Sequence, residues 1–140
     1  THWKSLKNQL PRQPEGEGKI TMSKIVLIED DITMRTLLKT LLKFEGFDVT
    51  IYGEIEEDKV AEMLKAEQPQ ALLLDVHLRK SNGITILKSI REDPQIAATR
   101  VIMTSGMDMT SQCLDAGADH FLLKPYMPDD LINLLKDRRD

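Results

Sequence analysis

Chemistry in this chain concentrates at the ends of short apolar runs. The run KIVLI (24–28) is followed at once by three acids, Glu29, Asp30 and Asp31. Such crowding is unfavourable, because each carboxylate opposes ionisation of its neighbours. ALLLD ends on Asp75, VIMTS on Thr104 and Ser105, and FLLKP supplies Lys124. If these runs are parallel strands of one sheet, their carboxyl ends meet, and two acidic strand ends face a hydroxyl and a single ammonium. A hard divalent cation such as Mg²⁺ takes carboxylate oxygens, keeps several waters and often shares a phosphate. Bound beside Asp30 and Asp75, it would relieve the repulsion. A carboxylate is also a nucleophile toward phosphorus, giving an acyl phosphate. Asp75, on the run that reads as most buried, is the candidate acceptor. Ser105 and Lys124 are placed to stabilise charge on a transferring phosphoryl group, the lysine as a point charge.

The elements that must position these groups are legible from Ser23 onward. KIVLIE, FDVTIY, ALLLD, RVIMTS and HFLL read as strands. Between and after them, helices are expected over ITMRTLLKTLLKFEG, EIEEDKVAEMLKAEQ, and near 83–92, 109–116 and 128–138. In the first of these helices Met34, Leu37, Leu38, Leu41 and Leu42 fall on one side, and Gly46 is the stop signal. Five strands alternating with five helices predict an α/β fold, a doubly wound parallel sheet with helices on both faces. In such sheets the crevice lies beyond the carboxyl ends of the strands. The turn after the first strand is EDD, which repels a pyrophosphate, and no glycine-rich phosphate loop is present.

The chain of 140 residues suits one domain burying roughly 70% of its unfolded surface. A net charge of −4 argues against direct nucleic-acid binding. No apolar run reaches the roughly 18 residues of a membrane span, and no secretory core is evident. Cys113 is the single cysteine, which excludes a disulfide framework and points to a reducing cytoplasm. Residues 1–21 differ from the rest. Trp3, Leu6 and Leu10 fall on one face of a short amphipathic helix, and Pro11, Pro14, Gly16 and Gly18 then break it. This piece carries +2 and leaves −6 on the remainder. With Met22 as an expected natural start, 1–21 reads as an artificially appended tail and 22–140 as the domain. A native docking helix is the alternative.

Taken in order, IVLIEDD, ALLLDVHLRKSNG, VIMTSG and GADHFLLKP resemble the receiver domain of bacterial two-component response regulators, from Ser23 to about Arg138. The resemblance implies a flavodoxin-like, CheY-like fold with strand order 2-1-3-4-5. It also implies a cytoplasmic phosphoacceptor switch that assists its own phosphorylation and dephosphorylation and is not an enzyme in the usual sense. By position it makes Glu29, Asp30, Asp75 and the backbone carbonyl of His77 the Mg²⁺ site, with Glu29 acting mostly through water. Asp75 becomes the phosphoacceptor, Ser105 the switch hydroxyl, Gly106 the small residue after it and Phe121 the switch aromatic. Lys124 takes the role of the family's lysine, and Pro125 that of a proline often preceded by a cis bond. Asp31 falls one place late and is read as a helix cap.

The implied partners are a sensor histidine kinase or phosphotransfer protein, then a downstream protein target or output domain, with a homodimer compatible. Neither nucleic acid nor membrane is a direct partner. The chain suits a stand-alone regulator or a receiver within a longer protein, its linker starting near Arg138. Two departures stand out. Arg79 occupies a position where the family often has proline, which implies a more mobile loop, and Asn82-Gly83 replaces a frequent Asp-Gly. The resemblance also implies that the positions two residues after Asp75 and Ser105 tune phosphoryl lifetime; here they are His77 and Met107, neither of which orients water well, so slow hydrolysis is expected.

Two other functions fit the residues less well. A haloacid-dehalogenase-type phosphatase needs an acid two residues after its nucleophile, where His77 stands. A phosphate-independent interaction module would have no use for the intact acids, hydroxyl and lysine. Single residues also have plainer uses: EDD as a cap, Thr104-Ser105-Gly106 as a turn, Lys124 as a solvated lysine. His120 reads as an exposed strand start and Cys113 as core. Met103, Met107, Met109 and Met127 read as adaptable packing.

Overall fold

The computed structural model describes Trp3, Lys4 and residues 23–137. The expectations for 1–21 therefore lie outside the described residues, apart from Trp3 and Lys4, which are helical. Five strands, β1 (Lys24–Ile28), β2 (Asp48–Tyr52), β3 (Ala71–Asp75), β4 (Val101–Ser105) and β5 (His120–Leu123), form one sheet in the order β2-β1-β3-β4-β5. Every pairing is parallel. The helices are α1 (Ile32–Phe44), α2 (Val60–Glu67, preceded by a 3₁₀ turn at Glu57–Lys59), α3 (Gly83–Glu92), α4 (Thr110–Ala116) and α5 (Pro128–Lys136).

The continuous apolar runs are explained by burial on both faces. Side chains alternate across a strand. Val26, Ile28, Leu72, Leu74, Val101 and Met103 pack with Leu64, Ile86, Leu87, Ile90 and Cys113, the face covered by α2, α3 and α4. Ile25, Leu27, Leu73 and Ile102 point the other way and pack with Leu38, Leu42, Leu131 and Leu135 of α1 and α5. Each fully buried Leu or Ile contributes about 1.5–3 kcal/mol by leaving water.

Local signals set the boundaries. Asp31 caps α1 by accepting from the Met34 N–H at 3.0 Å, as its offset from the acidic pair suggested. Asn82 caps α3, accepting from Ile84 N–H at 2.8 Å. Gly46 adopts φ +94° just past α1, a conformation that favours glycine. Two side-chain expectations change. Leu37 lies on the exposed side of α1, because the buried stripe narrows to Leu38 and Leu42 with Met34 and Leu41 partly covered. His120 is half-buried, its ring nitrogen 3.3 Å from the Arg100 guanidinium.

Candidate metal centre and phosphoacceptor site

Parallel register brings the chemistry together. Ile28 pairs with Leu74, so Glu29 and Asp75 follow side by side at adjacent strand ends. Asp75 pairs with Thr104, and Ser105 with Leu123. Backbone bonds carry the ladder one step further, from Val76 N–H to the Thr104 carbonyl (2.9 Å) and from Lys124 N–H to the Ser105 carbonyl (2.8 Å). The four strand ends expected to converge do so.

Lys124 Nζ donates to Glu29 Oε1 at 2.7 Å and to Asp75 Oδ2 at 3.1 Å. Both acids are buried, Glu29 to 4% exposure and Asp75 to 8%. Among the described residues Glu29, Asp30 and Asp75 each offer an oxygen, all within 4.8 Å of one another. Burial drives the Glu29 carboxyl from 4.5 up to about 7; the Lys124 contacts oppose the shift and neighbouring Asp75 adds to it. Burial pulls the Lys124 ammonium down, but its bonds to Glu29 and Asp75 outweigh that and leave it above its usual value. Glu29 Oε2 is buried with no protein hydrogen-bond partner. A buried orphan carboxylate oxygen beside two further acids fits a hard divalent cation or its hydration shell.

The remaining predicted residues surround this core. Ser105 is fully buried, and its Oγ accepts from the Met107 N–H at 3.1 Å. Phe121 is half-buried against the cluster beneath α2, α3 and α4. His77 is exposed two residues beyond Asp75, and its backbone forms an antiparallel bridge with Asn82 that closes the loop. The Lys124–Pro125 peptide is cis. Gly106 has open space where a side chain would begin. Gly83 has none: a Cβ there would collide with the Asp75 carbonyl oxygen and lie 2.9 Å from Val76 Cα.

Two groups escaped the sequence reading. The backbone N–H of Arg79 donates to Asp30 Oδ2 at 2.9 Å, so the loop expected to be mobile is tied to an acid of the site. The usable signal was the absence of proline, since only a residue other than proline offers that donor. The second is Tyr126. Its phenolic oxygen is buried without a protein partner, and burial, with the charges of Glu29 and Asp75, pushes the phenol well above its ordinary value. Nothing in the spacing separates Tyr126 from a surface aromatic.

Residues 25–136 match the model of the response regulator receiver domain. The chain belongs to that family. This receiver domain is 39% identical over 114 residues to the transcriptional regulatory protein CpxR of Escherichia coli, covering 79% of this chain and 47% of that protein. The chain thus spans about half the length of the curated relatives it matches. Among solved structures, a response regulator from Chloroflexus aurantiacus aligns with TM-score 0.74 and 25% identity, over 83% of this chain and 96% of that one. The receiver domain of the sensor histidine kinase PA1611 from Pseudomonas aeruginosa, which has magnesium coordinated in its active-site cleft, aligns with TM-score 0.71 and 22% identity over 82% and 95%. The receiver is therefore a CheY-like signalling domain of two-component systems. No helix among the described residues is long and apolar enough to cross a membrane.

Proposed function

We propose that the domain, residues 22–140, is a Mg²⁺-dependent phosphoacceptor switch in which Asp75 receives a phosphoryl group from a histidine kinase or phosphotransfer protein in the cytoplasm. The observation that carries this reading is Lys124, whose ammonium bridges Glu29 and Asp75 while Asp30 completes the acidic cluster. The ion would be held by Glu29, Asp30, Asp75 and the His77 carbonyl. When bound, Mg²⁺ neutralises the clustered acids and polarises the phosphoryl oxygens.

A carboxylate oxygen of Asp75 forms the new P–O bond as the donor's P–N bond breaks, and the released imidazole nitrogen takes a proton from solvent. Lys124 then exchanges its hold on Asp75 for a phosphoryl oxygen. The Ser105 hydroxyl, which accepts from Met107 N–H, retains its own proton to donate to a second phosphoryl oxygen. Movement of the Ser105 segment makes room for Phe121 to turn inward, and the packing of α4, β5 and α5 shifts between two states. Exposed Leu114 on α4, Leu123 on β5, and Met107 and Met127 beside them give that face an apolar character suited to a partner that reads the state. That partner is a protein target or an output domain; CpxR is by its name a transcriptional regulator.

The test is incubation with acetyl phosphate and Mg²⁺, followed by intact-mass measurement. A phosphoryl adduct is expected on the unaltered chain and on Asp31→Ala, and none on Asp75→Ala. An adduct that persists in Asp75→Ala overturns the assignment.

A further inference from the structure

Arg91 belongs to none of the chemistry above, yet it is among the most constrained side chains in the fold. It lies at the C-terminal end of α3 and is 3% exposed. Its Nε donates to the Gly117 carbonyl at 2.9 Å, one terminal nitrogen to the carbonyls of Ala97 (2.8 Å) and Thr99 (2.6 Å), and the other to Asp119 Oδ2 at 3.1 Å. Asp119 also accepts from the Val101 N–H at 2.8 Å. One guanidinium thus joins the end of α3, the segment entering β4, the cap of α4 and the entry to β5. Gly117 is needed for this. It adopts φ +111°, and a Cβ would lie 3.0 Å from Arg91 Cγ and 3.2 Å from its Nε.

With its edges engaged by hydrogen bonds, such a guanidinium recognises a further group through its flat face. Trp3 lies against this group: Arg91 Cζ sits over the indole ring, 4.1 Å from its centroid, and Lys4 Nζ is 5.6 Å from the same centroid. A cation near an indole face is attracted by the ring quadrupole, more strongly when the cation is desolvated. Because Arg91 is already immobilised, stacking on it costs little further side-chain entropy. The location also suits a tethered ligand. Gln70 N–H bonds to the Lys24 carbonyl and Leu72 N–H to that of Arg100, which sets the start of β1 on the same sheet edge as Arg100 and Asp119. The chain between Lys4 and Ser23 can reach up to about 60 Å if extended.

We propose that the Arg91 face, at the sheet edge opposite the acidic pocket, is a docking site for an aromatic side chain, and that Trp3 of this chain's own N-terminal segment is its occupant. The segment is then an arm anchored on the receiver, which favours the docking reading of residues 1–21 over an inert tail. The inference is independent of the phosphoryl chemistry.

Trp3 is the only tryptophan, so its fluorescence reports docking directly. In the full chain, emission is expected at shorter wavelength than that of N-acetyltryptophanamide in the same buffer, with weaker acrylamide quenching. Nuclear Overhauser contacts should join the indole protons to the Arg91 side chain, and Trp3→Ala should remove the ring-current shifts of the Arg91 Cδ protons while far-UV circular dichroism is unchanged. In a mixture of isotope-labelled and unlabelled chains, the contacts should stay within one chain. Emission and quenching equal to the free indole, or no contact with Arg91, overturns the proposal. Contacts only between labelled and unlabelled chains overturn the assignment to the chain's own arm and give the site to a second copy.

Discussion

Replacing Glu29 with glutamine should make the metal-free domain more stable at pH 8. Glu29 is buried to 4% exposure, with one oxygen on Lys124 and the other without a protein partner. Raising its carboxyl from 4.5 to about 7 means that folding favours the protonated form. The native state then holds a proton that the unfolded chain has released, so this group's contribution to stability is intact below about 4.5 and is lost as pH rises through about 7. A displacement of that size corresponds to about 3 kcal/mol once the group is fully ionised. Urea unfolding in the presence of a chelator, at pH 5.5 and pH 8, isolates the effect. The unaltered domain should lose stability between the two values, whereas Glu29→Gln should lose less and be the more stable protein at pH 8. Mg²⁺ should reverse the ranking, since it stabilises the chain that keeps the carboxylate. Equal pH slopes in the two proteins, or a less stable Glu29→Gln at pH 8 without metal, would refute the argument that desolvation outweighs the Lys124 contacts.

Asp30→Ala should free the Arg79 amide, accelerating its hydrogen exchange about tenfold, the scale of one lost charge-assisted bond; an unchanged rate would mean that the bond does not tether the loop. Gly83→Ala should cost about 1–3 kcal/mol in chemical denaturation, because the added methyl meets the Asp75 carbonyl and the Val76 backbone, neither of which can turn aside as a side chain would. His77→Asn should shorten the half-life of the acyl phosphate on Asp75 by supplying an amide that orients the attacking water; an equal half-life would remove His77 as a determinant.

Much of this protein is written in its order of residues. Short, β-branched, continuously apolar runs alternating with amphipathic segments required strands covered on both faces, because a strand of such character has no side to give to water. Glu29, Asp75, Ser105 and Lys124 each stand at the end of such a run, so parallelism alone sufficed to gather them. The cap at Asp31 was similarly legible, since a short polar side chain before a helix has amide donors within reach; that Asn82 caps α3 in the same way emerged only from the structure.

The tertiary structure decided what depends on environment. Which of the adjacent acids is deeply buried, and hence which carboxyl is pushed up, follows from packing and from the reach of Lys124 across 95 residues of chain. That Arg79 restrains its loop, that Leu37 faces out while Leu38 faces in, and that Trp3 meets Arg91 all depend on angles and distances between elements. Sequence spacing fixes the period of an element and the type of group it delivers; burial and pairing, which set the energies, exist only once distant segments have packed.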